Sequence, residues 1–352
     1  MAAIQATGYV FHEPNVPFTK QSFVLDAPGP EEAVVQVAGC GLCHTDIGFF
    51  TGSVRTARTP LILGHEISGT VIAAGANVKS LTGRKVIVPA VLPCGECELC
   101  RRGRGNVCQN QRMPGNHING GFASHILVPG ASLCVLPDDL AGHDLSELAV
   151  VADAVTTPYQ SFRRSGLARG ELAVVIGVGG LGGYMVQFAR SVGAEVIAVD
   201  VDEKKLATAA ALGAVSTVNA TGLDERAVKK AVRAAVREHG LSSVGWKVFE
   251  MSGTAAGQQT AFALLSFAGT VGIIGFTMDR VTIRLSNVMA FDADLFGNWG
   301  CRPDLYPEVV DQVLSGVIHV RDNIERHPLD SINEMFARAM DHDLDKRAVL
   351  VP

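Results

Sequence analysis

Four cysteines at C-x2-C-x2-C-x7-C spacing constrain the fold of this chain more than any other feature. They are Cys94, Cys97, Cys100 and Cys108, in the segment PCGECELCRRGRGNVC. Four thiolates complete a tetrahedral zinc shell, so such a site fixes the shape of a loop but leaves no coordination position for water or a substrate. The spacing therefore predicts a structural zinc site, and any catalytic site must lie elsewhere in the chain.

Composition and charge restrict the class of protein further. With 352 residues, 47% of them hydrophobic, the chain can bury the cores of about two domains. A net charge of -5 offers no basic footprint for nucleic acid. The sequence begins without a charged segment leading into an apolar one, and its one membrane-like run, residues 172–189, contains five glycines. We therefore expect a cytoplasmic protein with neither a nucleic-acid nor a membrane partner.

The pattern of apolar residues changes near residue 150, which predicts two domains. Before that point short apolar runs such as ISGTVIAAG and KVIVPAV alternate with Gly, Pro and Asn, as in a β-rich domain. From Glu171 onward strand-like runs alternate with helical stretches, for which Asp202 and Asp224 are candidate N-caps, as in a doubly wound parallel sheet. The C-terminal stretch leaves that pattern. The predicted domains are therefore residues 1–152 with 291–352, and residues 153–290.

A glycine-rich turn lies in the second domain. GVGGLG follows the strand ELAVVI and opens a helix, a context in which backbone N–H groups at a helix N-terminus receive a pyrophosphate. Asp200 ends the next strand, where its carboxylate can accept hydrogen bonds from ribose hydroxyls and would repel a 2′-phosphate. The pattern predicts NAD rather than NADP; the alternative is a glycine turn that serves only helix–strand packing. The predicted contacts are Gly177, Gly179, Gly180, Leu181, Gly182 and Asp200.

Cysteine, histidine and carboxylate residues far apart in the sequence form a second possible metal set. They are Cys43 in GCGLCHTD, His65 and Glu66 in LGHE, and Asp153 in VVADAVTTPY. A mixed shell of thiolate, imidazole and carboxylate is typical of catalytic zinc, which keeps one position open. Taken singly, His65 could be a core histidine, Asp153 a helix cap, and Cys40 with Cys43 a redox pair.

The order of these motifs resembles the zinc-dependent medium-chain alcohol dehydrogenases over essentially the whole chain. The resemblance rests on GCGLCHTD, LGHE, the four-cysteine lobe, ADAVTTPY and GVGGLG, in that order. It implies an α/β fold with a GroES-like β-rich catalytic domain and a Rossmann cofactor domain, two zinc ions per chain, and NAD. Cys43, His65 and Asp153 would ligate the catalytic zinc, Glu66 could swing in as a ligand, and Asp46 would orient His65. Asp153 stands where many members have cysteine.

The same resemblance implies further roles around the cofactor and the reacting alcohol. Thr45 would accept the first proton in an oxidation by hydride transfer from a zinc-bound alkoxide. The family's relay ends at a histidine three residues later, where this chain has Gly48, so water or another histidine must complete it. For Arg347 a surface arginine is the alternative. The implied cofactor contacts are His44 and Arg347 at the pyrophosphate, Thr157 at the nicotinamide amide, and Lys205 at the adenosine ribose.

Three segments resemble a narrower group, the 6-hydroxycyclohex-1-ene-1-carbonyl-CoA dehydrogenases of anaerobic benzoyl-CoA degradation. They are GFFTGSVRTARTPLILGHEISG, VIVPAVLPCGECELCRRGRGNVCQNQRMPGN and ADAVTTPYQ. This resemblance implies NAD-dependent oxidation of a secondary allylic alcohol on a cyclic acyl-CoA to the 6-oxo product. Arg55 and Arg58, in the loop before LGHE, are the preferred candidates for contacts with CoA phosphates, and a solvated basic surface is the alternative.

The sequence also leads to expectations about the oligomeric state and leaves two alternative functions open. The family resemblance implies a homo-oligomer, either a dimer or a tetramer, built by extending the cofactor-domain sheet around GTVGIIGF and ADLFGNWG. Within the same chemistry, the alternative is a general alcohol or polyol dehydrogenase acting on small free alcohols. A non-catalytic NAD-binding redox sensor or structural protein is the alternative from another class, because a fold alone does not imply activity.

Overall fold

The computed structural model describes residues 3–352, which divide into two units. The first unit is the chain up to Thr156 together with Gly300–Pro352, and the second is Thr157–Trp299. The sequence placed the boundaries at 152/153 and 290/291. The second boundary falls later because the strand Asp294–Gly297 still pairs with the parallel sheet of the second unit. The first boundary also falls later, after Thr156, so Asp153 belongs to the first unit.

Short strands dominate the N-terminal part of the first unit, as the alternating apolar runs predict. The strands are β1 (Ile4–Phe11), β2 (Thr19–Leu25), β3 (Glu32–Gly41), β4 (Leu61–Ile62), β5 (Glu66–Ala74), β6 (Lys85–Val88), β7 (His125–Pro129) and β8 (Cys134–Val135). The helices are α1 (His44–Thr51) and α2 (Glu98–Arg101), with 3-10 turns at Ala76–Leu81, Gly105–Val107 and Leu145–Ala152. β3 lies at the centre because it pairs antiparallel with both β5 and β7.

Strands and helices alternate in the second unit. In chain order they are α3 (Thr156–Ser165, whose first residue belongs to the first unit), β9 (Leu172–Ile176), α4 (Gly182–Ser191), β10 (Glu195–Asp200), α5 (Glu203–Ala211), β11 (Ser216–Asn219), α6 (Glu225–Glu238), β12 (Lys247–Glu250), α7 (Ala255–Ala263), β13 (Thr270–Ile273), α8 (Ser286–Ala290) and β14 (Asp294–Gly297). Both predicted N-caps are confirmed, since Asp202 accepts the Lys204 N–H at 2.8 Å and Asp224 accepts the Ala227 N–H at 2.8 Å.

The C-terminal segment returns to the first unit, as expected from its departure from the alternating pattern. It forms α9 (Tyr306–Leu314), β15 (Ile324–Pro328), α10 (Ile332–Met340) and β16 (Arg347–Val351). β16 pairs antiparallel with β3, which gives a seven-stranded sheet in the order β15-β16-β3-β5-β6-β8 with β7 on β3. Helix α10 contributes Phe336, whose ring lies 4.6 Å from that of Phe18 in the core. The remaining strands form the sheet β2-β1-β4.

The six strands of the second unit form one parallel sheet in the order β11-β10-β9-β12-β13-β14. All five residues of β9 are buried, as expected of a strand covered on both faces. The strand order reverses between β9 and β12, and ligands of such sheets bind outside the carboxyl ends at this switch point. Gly177 follows β9 at that position. None of the helices within residues 3–352 combines the length and apolar character needed to cross a membrane.

Candidate active site and metal centres

The four cysteines of the lobe come together as their spacing predicts. Helix α2 and the 3-10 turn Gly105–Val107 bring them into one cluster. A tetrahedral shell with Zn–S bonds of about 2.3 Å has S···S edges of about 3.8 Å, so this donor set fits zinc. The Sγ–Sγ distances are 3.5 Å for Cys97–Cys100, 3.7 Å for Cys97–Cys108, 3.5 Å for Cys94–Cys108 and 4.0 Å for Cys94–Cys100.

Local hydrogen bonding prepares this cluster for a cation. The backbone N–H of Cys100 lowers the pKa of Cys97 to about 6, because it stabilises the thiolate. Backbone N–H groups of Glu96 and Cys97 likewise lower the pKa of Cys94. Thiolates are the form that binds zinc, so these hydrogen bonds favour the required charge state at Cys94 and Cys97. Burial acts in the opposite direction on the other two cysteines, since it raises the pKa of Cys108 and raises that of Cys100 to about 12.

The second metal set also comes together, and all of it lies in the first unit. One donor atom from each of Cys43, His65, Glu66 and Asp153 lies within 4.8 Å of the others. Cys43 precedes α1, His65 and Glu66 stand at the start of β5, and Asp153 follows the 3-10 turn Leu145–Ala152. The His65 Nε2 atom lies 3.6 Å from Asp153 Oδ2, so the imidazole faces the carboxylate across the centre of the cluster.

Asp46 contacts the His65 side chain and the backbone N–H of Cys43. Its carboxylate is completely buried and accepts hydrogen bonds from the Cys43 N–H at 3.1 Å and the Gly64 N–H at 3.1 Å. The same carboxylate lies 3.3 Å from His65 Nδ1. A proton held on Nδ1 by Asp46 leaves the Nε2 lone pair available to a metal ion. Burial would lower the pKa of His65, but the charge of Asp46 and a hydrogen bond to Asp153 raise it well above its usual range, so the surroundings favour positive charge.

Glu66 is paired with an arginine from the C-terminal strand. Arg347 donates from Nη1 to Glu66 Oε1 at 2.7 Å and to the Leu42 carbonyl at 3.4 Å. Glu66 Oε2 is buried and has no hydrogen-bond partner among residues 3–352. Burial raises the pKa of Glu66 to about 7, although Arg347 opposes the shift. A buried carboxylate oxygen that lacks a partner, next to a thiol, an imidazole and a second carboxylate, fits a metal ion.

The Arg347 contact adds to the role expected from the sequence. The arginine side chain is only 10% exposed, and it fixes Glu66. Its implied contact with the pyrophosphate stays a prediction. Hydrophobic periodicity carries no information about a buried ion pair between residues this far apart in sequence, so this pairing could not be predicted from the sequence.

His44 and Thr45, the first residues of α1, directly follow Cys43. The Thr45 hydroxyl lies 3.9 Å from Cys43 Sγ, and its proton-accepting role stays a prediction. Gly48, which replaces the family's relay histidine, faces Val54 at ordinary packing distance. His342, just after α10, stacks its ring on that of His44 with 6.4 Å between centroids. The sequence did not indicate His342 or its contact with His44.

The glycine turn in the second unit has the geometry of a nucleotide-binding turn. Gly177 has a φ of +81°, and a Cβ there would lie 2.5 Å from the backbone of Ser252. A Cβ on Gly182 would lie 1.9 Å from the Gly177 carbonyl oxygen, so α4 can start only with glycine at this point. Asp200 accepts the Val178 N–H at 2.8 Å, which places its carboxylate beside the turn, and its contact with ribose stays a prediction.

The remaining cofactor predictions lie in less distinctive surroundings. Lys205 is about half exposed on α5, with Nζ 3.8 Å from Asp202 Oδ2. Thr157 is buried in α3, where its carbonyl accepts a hydrogen bond from the Ser161 hydroxyl at 3.1 Å. Both remain predictions.

Glu250 is a buried carboxylate at the switch point that the sequence analysis did not identify. It ends β12 and accepts hydrogen bonds from the Ser252 N–H at 2.8 Å, the Ser252 hydroxyl at 2.5 Å and the Gly253 N–H at 3.2 Å. Ser252 is the residue against which Gly177 packs. Glu250 therefore fixes the wall of the glycine turn. A charged residue at the end of an otherwise apolar strand, in KVFEMSG, was the available indication.

The candidate arginines for CoA differ in their surroundings. Arg55 and Arg58 are both exposed in the loop between α1 and β4. Arg58 donates from Nη2 to Asn119 Oδ1 at 2.8 Å, so its guanidinium also anchors the loop. The role of Arg55 and Arg58 as ligands of CoA phosphates stays a prediction.

Comparison with known proteins gives the same class as the fold and the two clusters. Residues 29–138 match the family described as alcohol dehydrogenase GroES-like domain, and residues 180–315 match the family described as zinc-binding dehydrogenase. An alcohol dehydrogenase of Geobacillus stearothermophilus is 32% identical over 325 residues, which are 91% of this chain and 91% of that protein.

Solved structures show a similar relationship. The alcohol dehydrogenase of Aeropyrum pernix superposes with a TM-score of 0.87 at 30% identity, covering 98% of this chain and all of that one. Acetophenone reductase from Geotrichum candidum, solved in complex with NAD, gives a TM-score of 0.85 at 26% identity, covering 99% and 97% of the two chains. The fold and the sites define a zinc-dependent oxidoreductase with a Rossmann domain. The chain belongs to the zinc-dependent medium-chain alcohol dehydrogenase family.

Proposed function

We propose that this protein oxidises a secondary allylic alcohol on a cyclic acyl-CoA, 6-hydroxycyclohex-1-ene-1-carbonyl-CoA, to the 6-oxo product with NAD. The observation that carries the alcohol oxidation is the convergence of Cys43, His65, Glu66 and Asp153 donor atoms within 4.8 Å of one another. The observation behind the acyl-CoA substrate is the resemblance of the loop containing Arg55 and Arg58 and of the zinc lobe to enzymes with that substrate.

The chain's own residues divide the work of this reaction. Bound zinc supplies Lewis-acid polarisation of an alcohol oxygen, and bound NAD accepts a hydride. Cys43, His65 and Asp153 hold the metal. Asp46 keeps the Nδ1 proton of His65 in place through their 3.3 Å contact. Thr45, with its hydroxyl 3.9 Å from Cys43 Sγ, accepts the proton that leaves the substrate hydroxyl and passes its own proton on to water or another histidine.

NAD is the proposed cofactor of this chain because of Asp200. Its carboxylate lies at the glycine turn, where two ribose hydroxyls can donate to it. A 2′-phosphate in the same place would bring negative charge against this carboxylate. The preference for NAD over NADP is therefore a property of one side chain and can be tested by changing it.

Substitution of the loop arginines tests the acyl-CoA handle. Charge-assisted contacts with phosphate are worth enough to raise KM by about tenfold when one is lost. We expect Arg55→Ala and Arg58→Ala to raise KM for the CoA ester and to leave KM for the free acid unchanged. Because Arg58 also anchors the loop on Asn119, Asn119→Ala is the matched control, and it should not reproduce the effect. Unchanged values for both substrates would remove the arginine pair from the site.

Activity on small free alcohols is the second candidate function, and the names of the relatives favour it. Turnover of the cyclic hydroxyenoyl-CoA, a 3-hydroxyacyl-CoA and simple alcohols, each with NAD, separates the two. Absence of turnover with the cyclic ester would refute the specific substrate and leave alcohol oxidation intact. About two zinc ions per chain, together with dehydrogenase activity that is lost on chelation, would exclude a non-catalytic role.

We also propose that the chain forms a homo-oligomer through the β14 edge of the parallel sheet. β14 is the last strand on its side of the sheet, and an unprotected edge favours pairing with another chain. Large apolar side chains of the same unit are exposed, which is typical of an interaction surface. They include Phe276, Met278, Leu285, Met289 and Trp299. Light scattering should show a dimer or tetramer for the wild type and a monomer for the double variant Leu285→Glu, Met289→Glu.

A further inference from the structure

Tyr306 is a fully buried tyrosine beside the metal ligands of the first unit. It starts α9, immediately after the 3-10 turn Pro303–Leu305, and none of its surface is exposed. A phenol hydroxyl taken out of water needs hydrogen-bond partners, so the partners it has show what the residue holds. The alcohol oxidation described above gives this residue no role.

The hydroxyl of Tyr306 is bound to the peptide that precedes Asp153. It donates to the Ala152 carbonyl at 2.5 Å. It also accepts a hydrogen bond from the Ala90 N–H at 3.4 Å. On the other side of Asp153, the Thr156 hydroxyl donates to the Asp153 carbonyl at 3.5 Å. The phenol oxygen thus holds the peptide before Asp153, and Thr156 holds the peptide after it.

Asp153 is a ligand whose direction depends on its backbone. It follows the 3-10 turn Leu145–Ala152 with φ −145° and ψ −57°, so the chain turns away from the helical path at this residue. Its carboxylate must meet His65 Nε2, 3.6 Å away, although its side chain is 18% exposed while that of His65 is 1% exposed. Asp46 holds the Cys43 amide and the His65 imidazole directly, whereas Tyr306 holds the peptide to which Asp153 is attached.

We propose that Tyr306 is a positioning residue for the catalytic metal site, acting by clamping the Ala152–Asp153 peptide so that the Asp153 carboxylate faces His65. This inference rests on the proposed role of Asp153 as a metal ligand. Residues that orient a metal ligand typically contribute 10–100-fold to metal affinity. Because Tyr306 acts through one backbone carbonyl, the expected effect of removing its hydroxyl is about tenfold, the lower end of that range.

The decisive experiment compares metal retention in two phenylalanine variants of the zinc-loaded enzyme. Tyr306→Phe removes the clamp and keeps the ring packing. Tyr9→Phe is the matched control, since Tyr9 is another buried tyrosine of the same unit and its hydroxyl donates to Asp330 at 2.9 Å. Zinc release to excess EDTA is followed with time, and the visible spectrum is recorded after exchange of the catalytic ion for Co²⁺. Asp153→Asn identifies the release phase that belongs to the catalytic ion.

Tyr306→Phe should accelerate release of the catalytic ion about tenfold and shift the Co²⁺ bands, with the structural ion unaffected. Tyr9→Phe should change neither. Wild-type release and an unchanged spectrum in Tyr306→Phe would overturn the proposal, and so would equal acceleration in both variants, because that would be general destabilisation. If Asp153→Asn leaves the release of both ions unchanged, Asp153 is not a metal ligand, and the proposed role of Tyr306 is refuted for that reason. Should Tyr306→Phe not fold, Thr156→Val removes the hydroxyl that holds the Asp153 carbonyl. It is expected to accelerate the same phase, and unchanged release would count against positioning of the Asp153 carboxylate through its backbone.

Discussion

Replacing Asp46 by Asn is the most direct test of how the metal site is built. Asp46 is completely buried, and its two carboxylate oxygens face three donors: the Cys43 N–H, the Gly64 N–H and His65 Nδ1. An amide has one oxygen and one NH₂ group. If the asparagine oxygen faces Gly64 and His65, its NH₂ group faces the Cys43 N–H, and two donors oppose each other. If the oxygen faces Cys43 instead, the NH₂ group faces the donors of Gly64 and His65. Either way at least one buried donor loses its acceptor.

The size of the effect follows from these contacts. A buried donor left without a partner costs about 1–3 kcal/mol, and exchanging a charged acceptor for a neutral one at His65 costs about 1 kcal/mol more. We therefore expect Asp46→Asn to destabilise the zinc-depleted protein by about 2–4 kcal/mol. In the loaded protein the His65 imidazole loses the group that orients it, so affinity for the catalytic ion should fall about 10–100-fold.

Two measurements check this, with a matched control in the same unit. Thermal unfolding of the zinc-depleted protein reports the stability loss, and competition with a chromogenic chelator reports the affinity of each zinc site. Asp144→Asn is the control, because Asp144 caps the turn at Leu145 through the Ser146 N–H at 2.9 Å and asparagine caps equally well. An Asp46→Asn protein that unfolds with the wild type and binds catalytic zinc as tightly would refute the reasoning.

Three further predictions concern the cofactor turn and the zinc lobe. Burial raises the pKa of Glu250, so its contribution to stability is full below the unfolded value of about 4.3 and is lost as pH rises through the folded value. Glu250→Gln should therefore gain stability relative to the wild type as pH rises from about 4.3, and a pH-independent difference in unfolding temperature would contradict this. Asp200→Asn should raise kcat/KM for NADP relative to NAD by about tenfold, and an unaltered ratio would exclude Asp200 from cofactor choice. Cys97→Ser should reduce zinc from about two ions to about one per chain and lower the unfolding temperature, while Cys134→Ser, outside both clusters, should leave the zinc content unchanged.

The sequence predicted the parts of the structure that depend on local patterns. β9, the glycine turn and α4 follow from an apolar run, a set of glycines and a helix start within a short stretch, and Asp200 falls where the next strand ends. The four-cysteine lobe is equally local. The predicted domain boundary near residue 290 lies before β14 (Asp294–Gly297), which belongs to the second unit. This strand is short and mostly exposed, so its sequence lacks the apolar character of a buried parallel strand.

Contacts between distant polar residues were beyond sequence reasoning. Glu66 is paired with Arg347, 281 positions later, and Tyr306 meets Ala152 across 154 positions. Neither pairing corresponds to a recognisable sequence periodicity or motif spacing. Each forms only when the C-terminal segment packs against residues that come much earlier in the chain. Buried polar side chains are satisfied by whichever group the tertiary fold brings near them, and only the structure shows which group that is.

The return of the C-terminal segment to the first unit has a consequence for the metal site. β16 brings Arg347 onto Glu66, and α9 brings Tyr306 onto the carbonyl that precedes Asp153. Each contact is a hydrogen bond made by a largely or completely buried side chain, and each acts on a ligand or on its peptide. A β-rich domain made only of the first 152 residues would leave both groups without these partners, at a cost of about 1–3 kcal/mol for each buried polar group left unsatisfied. The discontinuous domain therefore ties formation of the metal site to folding of Gly300–Pro352.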